Sequence, residues 1–221
     1  MQESDPTVFV IDDDPEFRGS VGRLLRSVAL HARLFASVPD FLESERPNGP
    51  TCLVLDVRLP GRSGLDFQCE LAEADVQIPI IFITGHGDVP MSVQAMKRGA
   101  IEFLTKPFRD QDLIDAIQFG LARDRARREN EKALCALSAR FESLTPRERE
   151  IMIHIMQGRL SKQIAADIGI SEATVKVHRS NLMRKMNTRS LVELGRMADQ
   201  LKLTPGVEKS GCSTLLNSRA A

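Results

Sequence analysis

Residues 7–14 read TVFVIDDD, a short apolar run that ends in three carboxylates. The run from Val8 to Ile11 has no polar position, whereas a strand with one face in water alternates apolar and polar residues. Such a run is typical of a central strand in a parallel sheet that helices cover on both faces. In open sheets of this kind, ligands bind beyond the carboxyl ends of the strands. The three acidic residues therefore lie where a binding site is expected.

The first 124 residues repeat this arrangement of strand and helix. Apolar runs predict strands at residues 52–55 and 78–83, and shorter patterns predict two more at residues 32–35 and 101–104. Amphipathic stretches between them predict helices at residues 15–28, 64–74, 89–98 and from 110 onward. Five βα units in series predict a doubly wound, flavodoxin-like α/β domain over residues 6–124, built on a five-stranded parallel sheet.

Polar residues follow the predicted strands at the edge where ligands bind. Asp56, Thr84 and Lys106 each come at the end of a strand, as the acidic run of residues 12–14 does. Carboxylates that converge there raise one another's pKa unless a cation lies between them, and a hard divalent ion such as Mg²⁺ suits oxygen ligands. With Mg²⁺ bound, Asp56 can act as a nucleophile toward phosphorus, because Lys106 neutralises charge on the incoming phosphoryl group.

The two halves of the chain carry opposite charge. Residues 1–124 hold 20 acidic and 12 basic side chains, and residues 125–221 hold 18 basic and 10 acidic ones, although the formal net charge of the whole chain is zero. The basic half has the sign expected of a nucleic-acid-binding domain.

The basic half begins with a strong helix start. Thr145-Pro146-Arg147-Glu148 predicts a capping box that opens a helix over residues 146–157. Ser161 is expected to cap a short second helix, Gly169 to make a tight turn, and Ser171 to cap a longer helix to about residue 186. Two helices joined by a short turn predict an all-α helix-turn-helix domain at residues 144–203, whose second helix enters a DNA major groove.

Helical periodicity divides the longer helix into two faces. The inward face is expected to hold Val175, His178, Leu182 and Met186, with His178 as a hydrogen-bonded core residue. The outward face, which we expect to contact DNA, holds Lys176, Val177, Ser180 and Arg184, with Arg179 at its flank. Lys176 can reach a guanine edge or a phosphate, Val177 a thymine methyl, and Arg184 a backbone phosphate. The alternative is a charged face that is only solvated.

A helical linker is predicted at residues 125–143, because no Gly or Pro occurs between residues 121 and 145. Leu134, Leu137, Phe141 and Leu144 have the spacing of a coiled-coil seam, and packing against the chain's own helices fits the same spacing. Residues 204–221 are rich in Gly and Ser and are predicted to be a disordered tail.

Other features narrow the class of protein. No apolar run reaches the roughly 18 residues of a membrane span, and the amino terminus does not resemble a signal peptide, so a cytoplasmic protein with no membrane partner is expected. Cys52, Cys69, Cys135 and Cys212 lack metal-ligand spacing, so we expect reduced thiols rather than disulfides or a zinc site.

Four segments of the acidic half together resemble a response-regulator receiver domain: residues 11–14 (IDDD), 55–64 (LDVRLPGRSG), 84–87 (TGHG) and 105–108 (TKPF). The resemblance implies that Asp56 accepts a phosphoryl group from a sensor histidine kinase. It implies that Asp12, Asp13, Asp56 and the backbone carbonyl of Arg58 hold Mg²⁺, and that Lys106 contacts the phosphoryl group. It also implies that the protein is not a free-standing enzyme and catalyses only its own phosphotransfer and dephosphorylation.

The same resemblance implies a switch. A phosphoryl group on Asp56 would attract the Thr84 hydroxyl, and Phe103 would rotate into the space that opens, although Phe103 is equally well placed as a plain core residue. The Lys106-Pro107 bond is expected to be cis. His86 is expected either to touch the phosphoryl group or a partner or, more commonly for such a loop residue, to be solvated.

The second half resembles the LuxR/NarL-type helix-turn-helix in residues 144–150 (LTPRERE), 162–165 (KQIA) and 174–179 (TVKVHR). With the receiver in front, the chain resembles a FixJ/NarL-family response regulator. That implies operator DNA as a partner, a homodimer on phosphorylation with a pairing helix at residues 191–201, and RNA polymerase as a further partner.

Three other functions fit parts of the sequence. A phosphatase with an Asp nucleophile needs a second acid two residues on, and that position is Arg58, which cannot protonate a leaving group. A signalling adaptor would bind nucleic acid without specificity. A regulator that works without phosphorylation would not need the combination of Asp13, Thr84 and Lys106.

Overall fold

The computed structural model describes residues 5–85 and 89–202. Its contacts divide the chain into two compact units, one up to Asn130 and one from Glu131.

The first unit is a five-stranded parallel sheet with helices around it, as predicted. The strands are β1 (Thr7–Ile11), β2 (His31–Phe35), β3 (Thr51–Asp56), β6 (Ile80–Thr84) and β7 (Glu102–Thr105), in the spatial order β2-β1-β3-β6-β7. A two-stranded hairpin of β4 (Arg58–Leu59) and β5 (Arg62–Ser63) follows β3. The helices are α1 (Pro15–Ser27), α2 (Val38–Leu42), α3 (Gly64–Glu73), α4 (Val89–Lys97) and α5 (Asp110–Glu142). The strand order changes direction between β1 and β3, the place where doubly wound sheets bind ligands.

The apolar strands fill a core on each face of the sheet. All residues of β1 and β3 are buried. Phe9, Leu53 and Phe82 pack on one face, whereas Val10 and Val54 pack on the other. Each such side chain contributes about 1.5–3 kcal/mol by leaving water. This burial fixes the strand register, and thereby the position of every residue at the strand ends.

The structure moves several predicted boundaries. The fourth sheet strand begins at Ile80, because Ile78 and Pro79 precede the ladder. β3 extends through Asp56, so the carboxylate lies on the strand itself. The short helix α2 was not predicted; Ser37 caps it and Pro39 lies in its first turn.

Up to residue 202, the second unit contains the end of α5 and the helices α6 (Pro146–Met156), α7 (Ser161–Ile168), α8 (Glu172–Lys185) and α9 (Leu191–Gln200). The predicted capping box of Thr145 and Glu148 is formed. Gly169 ends α7 with φ of 68°, a left-handed conformation that glycine adopts without strain. The core of this unit holds Ile151, Ile164 and Leu182 among other apolar side chains.

Two predictions about this unit are wrong. Ser161 is the first residue of α7 rather than its cap, and the preceding Leu160 is the cap, with its N–H donated to the Gln163 side chain. His178 is half-buried rather than a core residue, because the buried stripe of α8 runs through Val175 and Leu182.

Helix α5 has no break between its first turn and Glu142. Leu137, Phe141 and Leu144 belong to the core of the second unit, whereas Leu134 is 47% exposed. Their spacing fitted either a coiled-coil seam or packing against the chain's own helices. The structure shows the second arrangement for Leu137, Phe141 and Leu144.

Two further expectations concern membrane-spanning helices and the cysteines. Among residues 5–85 and 89–202, no helix is both long enough and apolar enough to cross a membrane. Cys52, Cys69 and Cys135 are free thiols. Cys212 and the predicted tail at residues 204–221 lie outside the described residues, as does His86.

Candidate functional site

Three carboxylates meet at the carboxyl edge of the sheet. Ile11 of β1 pairs with Leu55 of β3, so the next residues of the two strands, Asp12 and Asp56, are neighbours. Both are buried, whereas Asp13 is exposed. One carboxylate oxygen from each residue lies within 4.8 Å of the others. This is an all-oxygen donor set with the spacing of a metal site, and it suits a hard divalent cation.

Lys106 reaches into this cluster from the loop after β7. Its Nζ lies 2.6 Å from Asp12 Oδ2 and 3.2 Å from Asp56 Oδ2. The backbone N–H of Lys106 donates to the carbonyl of Thr84 at 2.7 Å, which ties this loop to the end of β6. The Lys106-Pro107 bond is cis, as expected. One ammonium group thus bridges the two buried carboxylates.

Burial and charge oppose each other in the pocket. Burial raises the pKa of Asp12, although the hydrogen bond and the charge of Lys106 act against it. Burial also acts to lower the pKa of Lys106, but the hydrogen bond and charge of Asp12, with those of Asp56, outweigh it and raise that pKa. Two carboxylates face one ammonium in this group, and this excess of negative charge favours a cation.

Backbone groups fix the orientation of the two buried carboxylates. The N–H of Asp14 donates to Asp12 Oδ1 and the N–H of Arg58 donates to Asp56 Oδ1, both at 2.9 Å. A side chain on Gly64 would collide with the backbone oxygen of Asp56, so this close approach needs glycine. The carboxylates are held by the turns that follow their own strands.

The remaining predicted receiver residues lie nearby in the fold. Thr84 ends β6, is fully buried and pairs with Thr105 of β7. Phe103 on β7 is half-buried, and its ring lies 6.2 Å from the ring of Phe82. The Arg58 side chain is exposed. The structure therefore brings Asp12, Asp13, Asp56 and Lys106 together and places Thr84 at the adjacent strand end.

Two residues of the first unit take part in these charged clusters although the sequence pattern does not predict it. The ring of Phe17 lies against the Lys106 ammonium, with 3.7 Å between Nζ and the ring centroid. The fully buried Asp124 accepts hydrogen bonds at the amino end of β3. No spacing rule points to Phe17, because its partner Lys106 is distant in sequence. The spacing of Asp124 to Arg127 and Arg128 indicates helical ion pairs but not the bond to Thr51. The only hint was that Phe17 closely follows the acidic run.

In the second unit, helix α8 exposes the residues predicted to face DNA. Lys176, Val177, Ser180 and Arg184 are exposed, and Arg179 is half-buried. Lys176 forms an ion pair with Glu172 at 2.8 Å, in which both side chains are largely exposed. Such a surface pair is weak and leaves the ammonium available to another anion.

A buried carboxylate links this helix to the start of α6. Glu148 Oε2 accepts from the N–H of Thr145 at 2.8 Å and from Lys185 Nζ at 2.7 Å. Burial acts to raise the pKa of Glu148, but the bonds from Lys185 and Thr145 outweigh it and lower that pKa. The end of α8 is thereby held against the capping box of α6.

Comparison with known proteins agrees with both halves of this description. Residues 8–118 match the family described as response regulator receiver domain, and residues 142–198 match the family described as bacterial regulatory proteins, luxR family. Nodulation protein W of Bradyrhizobium diazoefficiens is 51% identical over 197 residues, which cover 89% of this chain and 87% of that protein. Response regulator protein TmoT of Ectopseudomonas mendocina is 45% identical over 202 residues, covering 91% of this chain and 92% of that protein.

Solved structures give the same result. The response regulator StyR has a TM-score of 0.82 and 47% identity, covering 89% of this chain and 100% of that one. Full-length FixJ from B. japonicum has a TM-score of 0.54 and 36% identity, covering 92% of this chain and 100% of that one.

The fold and the pocket define a receiver domain followed by a helix-turn-helix DNA-binding domain. The chain belongs to the response regulators of two-component systems that carry a luxR-family DNA-binding domain, a group that includes relatives named FixJ. Its function is transcription regulation in response to a kinase partner.

Proposed function

We propose that Asp56 accepts a phosphoryl group from a sensor histidine kinase in a reaction that needs Mg²⁺, and that this modification promotes dimerisation and operator binding. The observation that carries the proposal is the cluster of Asp12, Asp13 and Asp56, two of which contact the single ammonium group of Lys106.

The donor set fits Mg²⁺, because three carboxylates with converging oxygens outnumber the one lysine that balances them. Asp12, Asp13, Asp56 and the backbone carbonyl of Arg58 would hold the ion. When bound, it would neutralise charge on the phosphoryl oxygens and orient them for in-line transfer.

Asp56 performs the transfer as a nucleophile. A carboxylate oxygen of Asp56 forms a bond to phosphorus while the P–N bond of the kinase phosphohistidine breaks, and the electron pair of that bond stays on the kinase imidazole. Lys106, which already lies 3.2 Å from Asp56 Oδ2, stabilises the charge on a transferred oxygen. The arrangement of Asp56 and Lys106 therefore supplies both the nucleophile and the electrostatic stabilisation.

The switch and the DNA contacts follow from the same proposal. The phosphoryl group attracts the Thr84 hydroxyl, and Phe103 moves toward the space that this opens. Dimerisation then brings two copies of α8 to the two half-sites of an operator, where RNA polymerase is a further partner. The DNA-contacting residues are Lys176, Val177, Arg179, Ser180 and Arg184.

The first test identifies the residue that carries the acyl phosphate. The full chain is incubated with Mg²⁺ and acetyl phosphate, and the modified peptide is identified by mass spectrometry after borohydride reduction of the acyl phosphate. We expect Asp56→Asn to abolish labelling, while Asp66→Asn, an exposed carboxylate on α3, leaves it unchanged. Labelling of the Asp56→Asn protein at another residue would refute the assignment.

The second test separates an operator-binding regulator from an adaptor that binds nucleic acid without specificity. A selected operator should compete at fixed salt about 10³-fold or more better than random DNA. Lys176→Ala should cost about 1–3 kcal/mol of operator binding if Lys176 reads a base. Lys97→Ala, on helix α4 of the receiver, is the matched control. Equal affinity for operator and random DNA would favour the adaptor.

A further inference from the structure

The aromatic ring of Phe17 lies directly beside the charged group of the pocket. Lys106 Nζ stands 3.7 Å from the ring centroid, and the Lys106 side chain is only 22% exposed. A cation over an aromatic face is attracted by the quadrupole of the ring, and the attraction is strongest where water is excluded. This contact is additional to the two carboxylate contacts of the same nitrogen.

Neighbouring groups hold the ring in place. Asp14 caps helix α1, and its Oδ1 accepts from the backbone N–H groups of Glu16 and Phe17. The ring of Phe108 meets the ring of Phe17 edge-on, with 6.0 Å between centroids and 84° between planes. Phe17 also packs against the core on that face of the sheet. The acidic run therefore supplies a pocket carboxylate from Asp12 and, through Asp14, the support of the ring.

The ring differs from the two carboxylate partners of Lys106, Asp12 and Asp56, because it carries no charge. Asp56 changes its charge when it is phosphorylated, so the contact between Lys106 and Asp56 Oδ2 must rearrange. The contact with Phe17 involves neither Asp56 nor a proton transfer, and it does not neutralise the ammonium charge that a phosphoryl oxygen needs. The ring is therefore an uncharged partner of Lys106, supplied by α1, whose contact does not depend on the state of Asp56.

We propose that Phe17 is a positioning residue for phosphoryl transfer, whose ring holds Lys106 Nζ at the phosphoryl site before and after Asp56 is modified. The inference rests on the proposed phosphorylation of Asp56 and adds to it a residue that touches neither the phosphoryl group nor the metal.

The test compares Phe17→Leu, which keeps an apolar side chain, with Phe17→Tyr, which keeps the ring. The first readout is the rate constant of Asp56 labelling by acetyl phosphate with Mg²⁺. A cation–π contact is worth about 3- to 30-fold in an equilibrium, so the rate constant should fall by about that factor in Phe17→Leu. In Phe17→Tyr it should stay within about twofold of the unmodified protein, because the face of the ring is retained. Phe119→Leu, which removes an exposed ring of α5, is the control for loss of an aromatic residue.

The second readout does not depend on phosphorylation. Lysine ¹³C labelling reports the Lys106 Hε resonances in the metal-free protein, assigned with Lys106→Arg. Ring current should shift them upfield in the unmodified protein and in Phe17→Tyr, and the shift should vanish in Phe17→Leu. If Phe17→Leu unfolds, as judged by circular dichroism, Phe17→Met takes its place.

The outcomes separate the two proposals. If the unmodified protein is not labelled at Asp56, the proposed function fails. If it is labelled and Phe17→Leu reacts as fast as Phe17→Tyr, the positioning role is overturned. Equal slowing in Phe17→Leu and Phe17→Tyr also overturns it, because packing rather than the ring face would then be responsible. An unshifted Lys106 Hε resonance in the unmodified protein would contradict the contact itself.

Discussion

Strand β3 carries a buried charged cluster at each end, and the two clusters are balanced in opposite ways. Its carboxyl end holds Asp56, beside Asp12 and Lys106. At its amino end, Thr51 contacts the carboxylate of Asp124. The two ends are separated by five residue steps, or about 16 Å along an extended strand.

At the amino end, positive groups outnumber the carboxylate. Asp124 accepts from the N–H of Thr51 at 2.8 Å, from Arg127 and from Arg128 Nε at 2.6 Å. Burial acts to raise the pKa of Asp124, but the hydrogen bonds from Arg127, Arg128 and the Thr51 backbone outweigh it and lower that pKa. Arg128 also donates to the carbonyl of Asn48 at 3.3 Å. The arginines balance the carboxylate charge without a ligand, so we call this the complete cluster. It joins α5 to the sheet.

At the carboxyl end, carboxylates outnumber the ammonium, and burial holds the pKa of Asp12 above its usual range. A buried charge without full compensation costs free energy, and a protein retains it where a ligand supplies the missing charge. Both clusters are buried and hydrogen-bonded, and only the pocket has more carboxylates than basic groups. This excess distinguishes the pocket from the Asp124 cluster, which is a structural joint between α5 and the sheet.

The largest expected effect comes from breaking the complete cluster. Asp124→Asn removes the carboxylate that Arg127, Arg128 and the Thr51 amide share, and it should destabilise the first unit by about 2 kcal/mol. Hydrogen bonds to a charged group contribute about 1.5–3 kcal/mol, and the two arginine side chains, each 28% exposed, stay partly solvated. Urea unfolding followed by circular dichroism measures this. Faster hydrogen exchange of the Thr51 amide would locate the damage at the amino end of β3.

The matched control for that variant is Asp112→Asn. Asp112 also pairs with an arginine near the start of α5, Arg109, but that arginine is 84% exposed. Exposed ion pairs contribute little, so no measurable change in stability is expected. Equal destabilisation by the two variants would show that Asp124 is not a structural joint.

A smaller effect should come from completing the other cluster. Mg²⁺ that binds only the folded protein stabilises it by about 1.4 kcal/mol at ten times its dissociation constant. Asp13→Asn should remove most of this gain without harming the metal-free protein, because Asp13 is exposed. Thermal unfolding with and without Mg²⁺ gives the measurement, and Asp66→Asn is the control. A Mg²⁺-dependent gain that persists in Asp13→Asn would contradict the site.

The comparison also explains what could be predicted from the sequence. Asp12, Asp56 and Lys106 could be predicted, because each follows or ends an apolar strand and the carboxyl ends of parallel strands meet at one edge of the sheet. Asp124 was predictable only in part, because its spacing to Arg127 and Arg128 is that of helical ion pairs, whereas its bond to Thr51 joins residues 73 positions apart.

In the second unit, the predictions from helix-cap preference and from periodicity failed because contacts outside the local pattern decided the outcome. Ser161 has the chemistry of a helix cap, yet Leu160 takes that position because Gln163 accepts from its backbone N–H. His178 lies near the buried stripe by periodicity, but packing against the other helices leaves it half-buried. Periodicity predicts which side of a helix faces the core, and tertiary packing determines how wide the buried stripe is.

The smallest expected effect is a pH dependence specific to the complete cluster. The pKa of Asp124 is lowered in the folded protein, relative to about 3.9 when unfolded. Its contribution to stability is therefore fully present above about pH 4 and is lost as pH falls through the folded value. Asn at this position does not titrate, so the stability difference between the unmodified protein and Asp124→Asn should stay constant from about pH 7 to 5 and shrink below about 4. The titration of Asp12 occurs in both proteins and cancels, because sites this far apart are nearly independent. A difference that already shrinks between pH 7 and 5 would mean that the pKa of Asp124 is raised, as that of Asp12 is, and the contrast between the two ends of β3 would be lost.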